Sequence, residues 1–258
     1  MGADFAIPCP RGTYQPSDTS SACINCEAGA FCPDVQMIAA GTCEKGFYCP
    51  SNSVYTSGTL YYEPYRCPMG TYNAFSGKSS LSDCIACPAG KYCGAEALEA
   101  VSGDCAAGFY CATLSPFEKP AFDDASNNYG KCPAGYHCVA STSVPTACAA
   151  GKYSAMTKLE DNTNCKPCEP GHYCATAGLS SPTGECTPGY FCAEGSTSAT
   201  AADCTATNYC PQGSANQETC PIGFYNTLTR QGSCTECEAG STCFNGQKAN
   251  CPKGYYCP

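Results

Sequence analysis

The sequence predicts small disulfide-rich repeats, built of short β-hairpins and loops and strung into an elongated rod, with little helix and no single hydrophobic core. Three observations predict it. The 258 residues include 28 Cys, above the roughly 8–10% that marks a disulfide scaffold. Leu, Ile, Val and Phe together number only 27, and Trp is absent; a reduced domain draws on about twice that share of large apolar side chains. The Cys residues also recur in a fixed pattern, the mark of a repeat array whose units are each held by cross-links.

The element is Cys-x-x-Gly-x-aromatic. Ten copies close with a second Cys six positions on: Cys26/Cys32, Cys43/Cys49, Cys87/Cys93, Cys105/Cys111, Cys132/Cys138, Cys168/Cys174, Cys186/Cys192, Cys204/Cys210, Cys237/Cys243 and Cys251/Cys257. Gly holds the fourth position in nine of them, and Thr207 in the tenth. Tyr or Phe precedes the closing Cys in eight; His137 and Thr242 fill the other two. Four further copies begin at Cys9, Cys67, Cys148 and Cys220 and run instead to a Cys-x-x-Cys, at Cys23/Cys26, Cys84/Cys87, Cys165/Cys168 and Cys234/Cys237. They divide the chain into units 1–66, 67–147, 148–219 and a truncated 220–258, and no Cys is left over.

Cys-Pro-x-Gly is turn chemistry: Pro presets φ and Gly accepts positive φ. Cys residues six apart are expected to face each other across a short hairpin, with the aromatic as a flat plate over the disulfide or the next unit. Two wirings fit. In one, every six-spaced pair closes on itself. In the other, neighbours interleave, as Cys26–Cys43 with Cys32–Cys49. The 17-residue span of Cys26–Cys43 matches Cys67–Cys84 and favours interleaving; the pairs Cys132/Cys138 and Cys204/Cys210 lack a partner block and favour local closure. Cys9–Cys23, Cys67–Cys84, Cys148–Cys165 and Cys220–Cys234 are common to both. Closing a loop of about 15 residues is worth roughly 3 kcal/mol in the chain-entropy model.

The connectors differ. Residues 50–66 hold Tyr55, Tyr61, Tyr62 and Tyr65; residues 112–131 hold Phe117, Phe122 and Tyr129. These rings are too apolar for spacers and are the candidate contact surface between subunits or repeats. Ala95–Val101 is the stretch expected to make a helical turn or two.

Composition limits function. With 13 Lys and Arg and a net charge of −9, the chain lacks the concentrated basic face that nucleic acid demands. No run of 18 apolar residues exists, so no membrane insertion is expected in this segment. Two His residues, His137 in the aromatic slot of its element and His172 just before the slot of its own, read as packing rings. The Cys-x-x-Cys pairs lie too far apart for a zinc ribbon, and no acid–base pair or nucleophile is apparent. The expectation is no enzyme, no metal and no cofactor. None of the 12 Asn begins Asn-x-Ser/Thr; the Ser/Thr-rich connectors 141–146 and 196–207 are candidate carriers of O-linked glycans. Such Cys density belongs to an oxidising place, secreted or at the cell surface. The opening residues are no signal peptide, and the expectation is a fragment of a longer exported protein.

At these motifs the sequence resembles the ephrin-receptor-like cysteine-rich repeat, a relative of the tumour necrosis factor receptor module. The likeness covers residues 9–26, 67–87, 148–168 and 220–237. The added Cys-x-x-Gly-x-Tyr-Cys elements depart from it and are similar to arrays in large cell-surface proteins of protists and algae, including those of flagellar hairs (mastigonemes). The resemblance implies an extracellular, disulfide-linked rod and carries over no ligand residues. The expected role is structural: an extracellular repeat segment that packs with copies of itself into a fibre, coat or flagellar hair. The alternative is a ligand-binding or adhesion ectodomain of a cell-surface receptor.

Overall fold

The computed structural model describes residues 5–51, 65–121 and 129–258. Its regular structure is a series of two-stranded antiparallel ladders, thirteen among the described residues. Most strands are two residues long. The chain divides into two compact units, residues 1–131 with 140–144, and residues 132–139 with 145–258.

Each ladder belongs to one module, which runs from one opening Cys to the next. The turn comes first. In all fourteen modules the N–H of the fifth residue donates to the carbonyl of the second, as in Thr13 to Pro10 (3.1 Å), Lys91 to Pro88 (3.1 Å) and Tyr255 to Pro252 (3.1 Å). The residue between them is left-handed, at φ +80° in Gly12 and +81° in Gly90. A bonded turn with positive φ at its third position is type II, which is why Gly recurs there. Thr207 adopts φ +72° at the same place.

The two residues after the turn form the first strand, and the two before the next opening Cys form the second. Ala30–Phe31 thus pairs with Gly41–Thr42, and Lys91–Tyr92 with Gly103–Asp104. This differs from the expected hairpin: the six-spaced bridge ties the turn to the end of its own strand, and the partner strand arrives only after a loop.

All 28 Cys are paired, and the wiring is local. Cys26 bonds Cys32 and Cys43 bonds Cys49, with no interleaving. The left-handed turn folds the strand back, so the sixth residue after the opening Cys returns to within 5.9 Å of it (Cα–Cα) in the Cys87 module, inside the range a disulfide spans. The long-loop modules close as Cys9–Cys23, Cys67–Cys84, Cys148–Cys165 and Cys220–Cys234. The first and last of these span 14 residues; the middle two span 17. The extra length is one 3-10 turn before the second Cys, Leu81–Asp83 in one and Asn162–Asn164 in the other. Ala95–Val101, expected to be helical, is not: Ala97 is left-handed at φ +54°, which a right-handed helix does not tolerate.

The interior of each unit is cystine. Among the described residues, the buried apolar side chains are Cys apart from Leu159 and Pro120. Cystines alone hide little apolar area, so the modules are also joined through backbone. Within each unit a joint has up to three hydrogen bonds. Between the Cys148 and Cys168 modules, the Gly151 N–H donates to the Cys174 carbonyl (2.9 Å), the Ser154 N–H to Leu179 (3.0 Å) and the Gly178 N–H to Cys148 (2.9 Å). Between the Cys67 and Cys87 modules, Gly70 donates to Cys93, Asn73 to Leu98 and Ala97 to Cys67. Each such bond is worth about 1 kcal/mol net, so a joint rivals the roughly 2 kcal/mol that the entropy model assigns a six-residue disulfide loop.

The third bond needs a second left-handed residue, in the loop of the later module: Gln36, Gly77, Ala97, Leu114, Ser141, Lys158, Gly178, Gly195, Gly213 or Arg230. The carbonyl of that residue reaches further, to the turn glycine two modules back. Leu114, Ser141, Gly178 and Gly195 thus lie against Gly70, Gly90, Gly135 and Gly151 respectively, so closely that a Cβ on the glycine would overlap the oxygen. Each module therefore touches the next two, and glycine is required by both φ and proximity.

Candidate functional site

The chemistry of the described surface is that of rings and capped loops. Of the residues predicted to form the interface, Tyr55, Tyr61, Tyr62 and Phe122 lie outside the described residues. Tyr65, 52% exposed, pairs across its ladder with Tyr48, and the two rings stack with centroids 5.3 Å apart and planes at 21°. Phe117 meets Tyr129 edge to face at 6.3 Å and 70°. Such pairs add about 0.5–1.5 kcal/mol beyond area burial. In each pair one ring, Tyr65 or Phe117, stays exposed, while its partner, Tyr48 or Tyr129, is half-buried.

Four residues that sequence reasoning passed over sit where the closing Cys would be. Gln15, Asn73, Ser154 and Asn226 are each the sixth residue after the opening Cys of a long-loop module. Asn73, Ser154 and Asn226 are buried. The Asn73 amide donates to the Phe47 carbonyl (2.9 Å), while its Oδ1 accepts the Phe75 N–H (3.1 Å). The Asn226 amide donates to the carbonyls of Asn208 (2.9 Å) and Ser233 (3.1 Å). Ser154 Oγ accepts the Met156 N–H (3.2 Å), and Gln15 Oε1 accepts the Ser17 N–H (3.0 Å). The Asn73 and Ser154 bonds close Asx- and Ser-type turns, and Gln15 accepts in the same i+2 pattern. The eighth residue after the opening Cys is apolar and exposed in three of these modules: Phe75 at 59%, Met156 at 63% and Leu228 at 67%. The signal was in the alignment of the repeats: a polar residue in a sulfur's place.

Electrostatics tie elements together rather than converge on a point. Asp83 accepts the N–H groups of Ser79 (3.1 Å) and Ser80 (3.0 Å), and Lys78 lies 3.5 Å away. Those bonds hold its carboxyl below the usual aspartate value, as the Thr163 side chain and N–H do for Asp161. Lys91 pairs across its ladder with Asp104, and its bond, with one from Ser141, lowers that carboxyl too. Arg230 bonds Asp203 (3.0 Å) and lies over Tyr190, 5.6 Å from the ring centroid. Exposed pairs of this kind are screened by solvent and add little to stability. Tyr209 donates to its cross-strand partner Glu218 (2.7 Å), and the carboxylate's bond pushes the phenol's pKa up.

His137 and His172 stand in strands, with each Nδ1 enclosed. Every Cys-x-x-Cys pair is split between two bridges. Cys23 goes to Cys9 and Cys26 to Cys32, so their sulfurs are spent in covalent bonds. No described helix is long and apolar enough to cross a membrane.

The Cys9 module and the clasp that follows it decide the comparison. Residues 6–35 match the family described as tyrosine-protein kinase ephrin type A/B receptor-like. That stretch holds one long bridge, Cys9–Cys23, and one six-residue bridge, Cys26–Cys32. The same succession of a long and a six-residue bridge recurs from Cys67 to Cys93, Cys148 to Cys174 and Cys220 to Cys243. No curated protein matches the sequence. The disulfides and the ephrin-receptor-like match point together to an extracellular or cell-surface location.

Proposed function

We propose that the chain is a segment of an extracellular structural protein that self-associates into a fibre, coat or flagellar hair. One observation carries the reading. Within each unit the same backbone joint is made again and again, from cystine and carbonyl groups, so the repeated chemistry serves continuation rather than a ligand. Nearest-neighbour stacking of this kind suits extended assemblies. A contact between unlike surfaces of two copies propagates without closing. Tyr55, Tyr61, Tyr62, Tyr65, Phe117, Phe122 and Tyr129 are the proposed contact residues, and 1–66, 67–147, 148–219 and 220–258 the proposed repeat units.

The test is to secrete the chain from an oxidising host, count free thiols by mass without reductant, and follow assembly by sedimentation and electron microscopy. Concentration-dependent polymers that weaken on Tyr65→Ser and Phe117→Ser support the reading. A monodisperse monomer at high concentration refutes self-association, and free thiols at most positions refute the location. The match of residues 6–35 favours a second reading, a ligand-binding or adhesion ectodomain of a cell-surface receptor. It predicts that same monomer, together with saturable binding to a cell surface.

A further inference from the structure

The Cys237 module breaks the pattern at the residue before its closing cysteine. Elsewhere that position holds a ring, and the residue facing it across the ladder is often small: Phe31 faces Gly41, Tyr92 faces Gly103, Tyr110 faces Gly130, Tyr173 faces Gly184 and Phe191 faces Ala202. The ring occupies the space above its small partner. A Cβ on Gly41 would come within 2.8 Å of the Phe31 ring, and one on Gly103 within 3.2 Å of the Tyr92 ring. In the Cys237 module the residue is Thr242, and its partner is Ala249. The small partner is kept while the ring is gone, and both residues are exposed.

This module is also the best-formed hairpin. Ser241–Phe244 pairs with Gln247–Asn250 over four residues. The loop between them is Asn245-Gly246, with φ +50° and +72°, the signature of a tight type I′ turn. Cys243 is buried and bonded to Cys237. Side chains alternate along a strand, so Thr242 and Phe244 share the face opposite to the sulfur. Phe244 is 62% exposed. A hydroxyl is thus held on a rigid, covalently closed ladder, beside an open aromatic face and above a methyl group.

We propose that Thr242 is an O-glycosylation site carrying a monosaccharide. The sugar's apolar face lies over Ala249 and beside Phe244, where other modules place an aromatic plate. In the transfer, Thr242 Oγ1 attacks the anomeric carbon of a nucleotide-activated monosaccharide supplied with its glycosyltransferase. The new C–O bond forms as the anomeric carbon–phosphate oxygen bond breaks. The bonding electron pair leaves with the nucleoside diphosphate, and the hydroxyl proton passes to a base of the transferase. The proposal rests on the extracellular reading, because the secretory route brings chain and transferase together. It differs from the sequence-based glycan expectation, which pointed to the connectors 141–146 and 196–207.

The test uses the full chain secreted from a eukaryotic host, in three forms: unaltered, Thr242→Val and Phe244→Ala. Peptide mapping with electron-transfer fragmentation locates the sugar, the unreduced mass counts the bridges, and hydrogen exchange reads the strand amides of residues 241–250. The expected result is a sugar on Thr242 that is lost in Thr242→Val, with those amides protected about tenfold better when the sugar is present. Phe244→Ala is expected to keep the sugar and lose the extra protection. A bare Thr242 in a secreted, fully oxidised chain overturns the site while leaving the extracellular reading in place. A chain with free thiols that is not exported overturns both. A sugar on Thr242 whose removal leaves exchange unchanged overturns the stacking.

Discussion

Replacing Gly151 with Ala tests whether modules two apart are locked through backbone. Gly151 has φ +81°, where Ala costs about 1–2 kcal/mol. Stiffening the unfolded chain returns about 0.4–1 kcal/mol. The net conformational cost is therefore about 1 kcal/mol. The second cost is steric: the new Cβ falls 2.5 Å from the Gly195 carbonyl oxygen. That oxygen belongs to backbone and cannot rotate away, so the loop must shift. The Gly195 N–H bond to Cys168 (2.9 Å) and the Cys174 N–H bond to Ser196 (2.9 Å) are then stretched or lost. At about 1 kcal/mol per bond, the total reaches about 3 kcal/mol.

Gly240 is the internal control. It has φ +82° and nothing within 4 Å of its would-be Cβ, so Gly240→Ala carries only the conformational cost. The difference of about 2 kcal/mol corresponds to roughly a 30-fold difference in local opening. Global unfolding is a poor readout for a disulfide-bonded array, which opens locally. Native-state hydrogen exchange is the assay, read at the Gly195 and Cys174 amides for one variant and at Cys251 for the other. Equal losses in the two variants, or an unchanged Gly195 amide in Gly151→Ala, would refute the locking argument.

The other perturbations address single sites. Asn73→Ala removes the donor to Phe47 and the acceptor of the Phe75 N–H at a fully buried position; exchange near Phe75 is expected to report a loss of about 2–3 kcal/mol. Thr207→Gly relieves a β-branched residue at positive φ, a strain of about 1–3 kcal/mol, against roughly 0.5–1 kcal/mol of added chain entropy for Gly; slower exchange of the Thr207 and Cys220 amides is expected, and faster exchange would show the strain to be absent. Asp83 has a lowered folded-state value, so its contribution is present above the ordinary aspartate value and lost as pH falls through the lower folded one; the Ser79 and Ser80 amide resonances should titrate together in that lower range by NMR, and Asp83→Asn should abolish the titration.

What was legible in the sequence followed from chemistry that repeats. The Cys-x-x-Gly spacing carried the turn, because one residue type satisfies positive φ cheaply and because every turn uses it. The strands after the turn were legible for the same reason. The wiring was not. A 17-residue span fits both Cys26–Cys43 and Cys67–Cys84, and chain-entropy arguments do not distinguish them. What decides is that the type II turn brings Cys32 back to Cys26, with Cα atoms 6.2 Å apart. The helical reading of Ala95–Val101 failed because a tertiary bond overrode propensity: Ala97 turns left-handed to donate its N–H to Cys67.

The second left-handed residue explains why that failure was unavoidable. Leu114, Ser141, Lys158, Arg230 and Ala97 occupy it as readily as Gly178 and Gly195 do, so the position has no sequence signature. Its constraint comes from two neighbours at once, the opening Cys carbonyl that takes its N–H and, in most joints, the turn glycine that receives its carbonyl. The same logic governs the sixth position. The preceding module's turn N–H needs only a main-chain carbonyl there, and Asn73, Ser154 and Asn226 supply it to Gly46, Gly135 and Thr207 as well as Cys174 does to Gly151. Because the joint is indifferent to the side chain, that side chain is free either to form a bridge or to cap a loop. Where an amide or hydroxyl stands in the sulfur's place the ladder is intact, and Phe75, Met156 or Leu228 two residues on is exposed. The modules that lack the short clasp are therefore where variation at the surface costs the fold least.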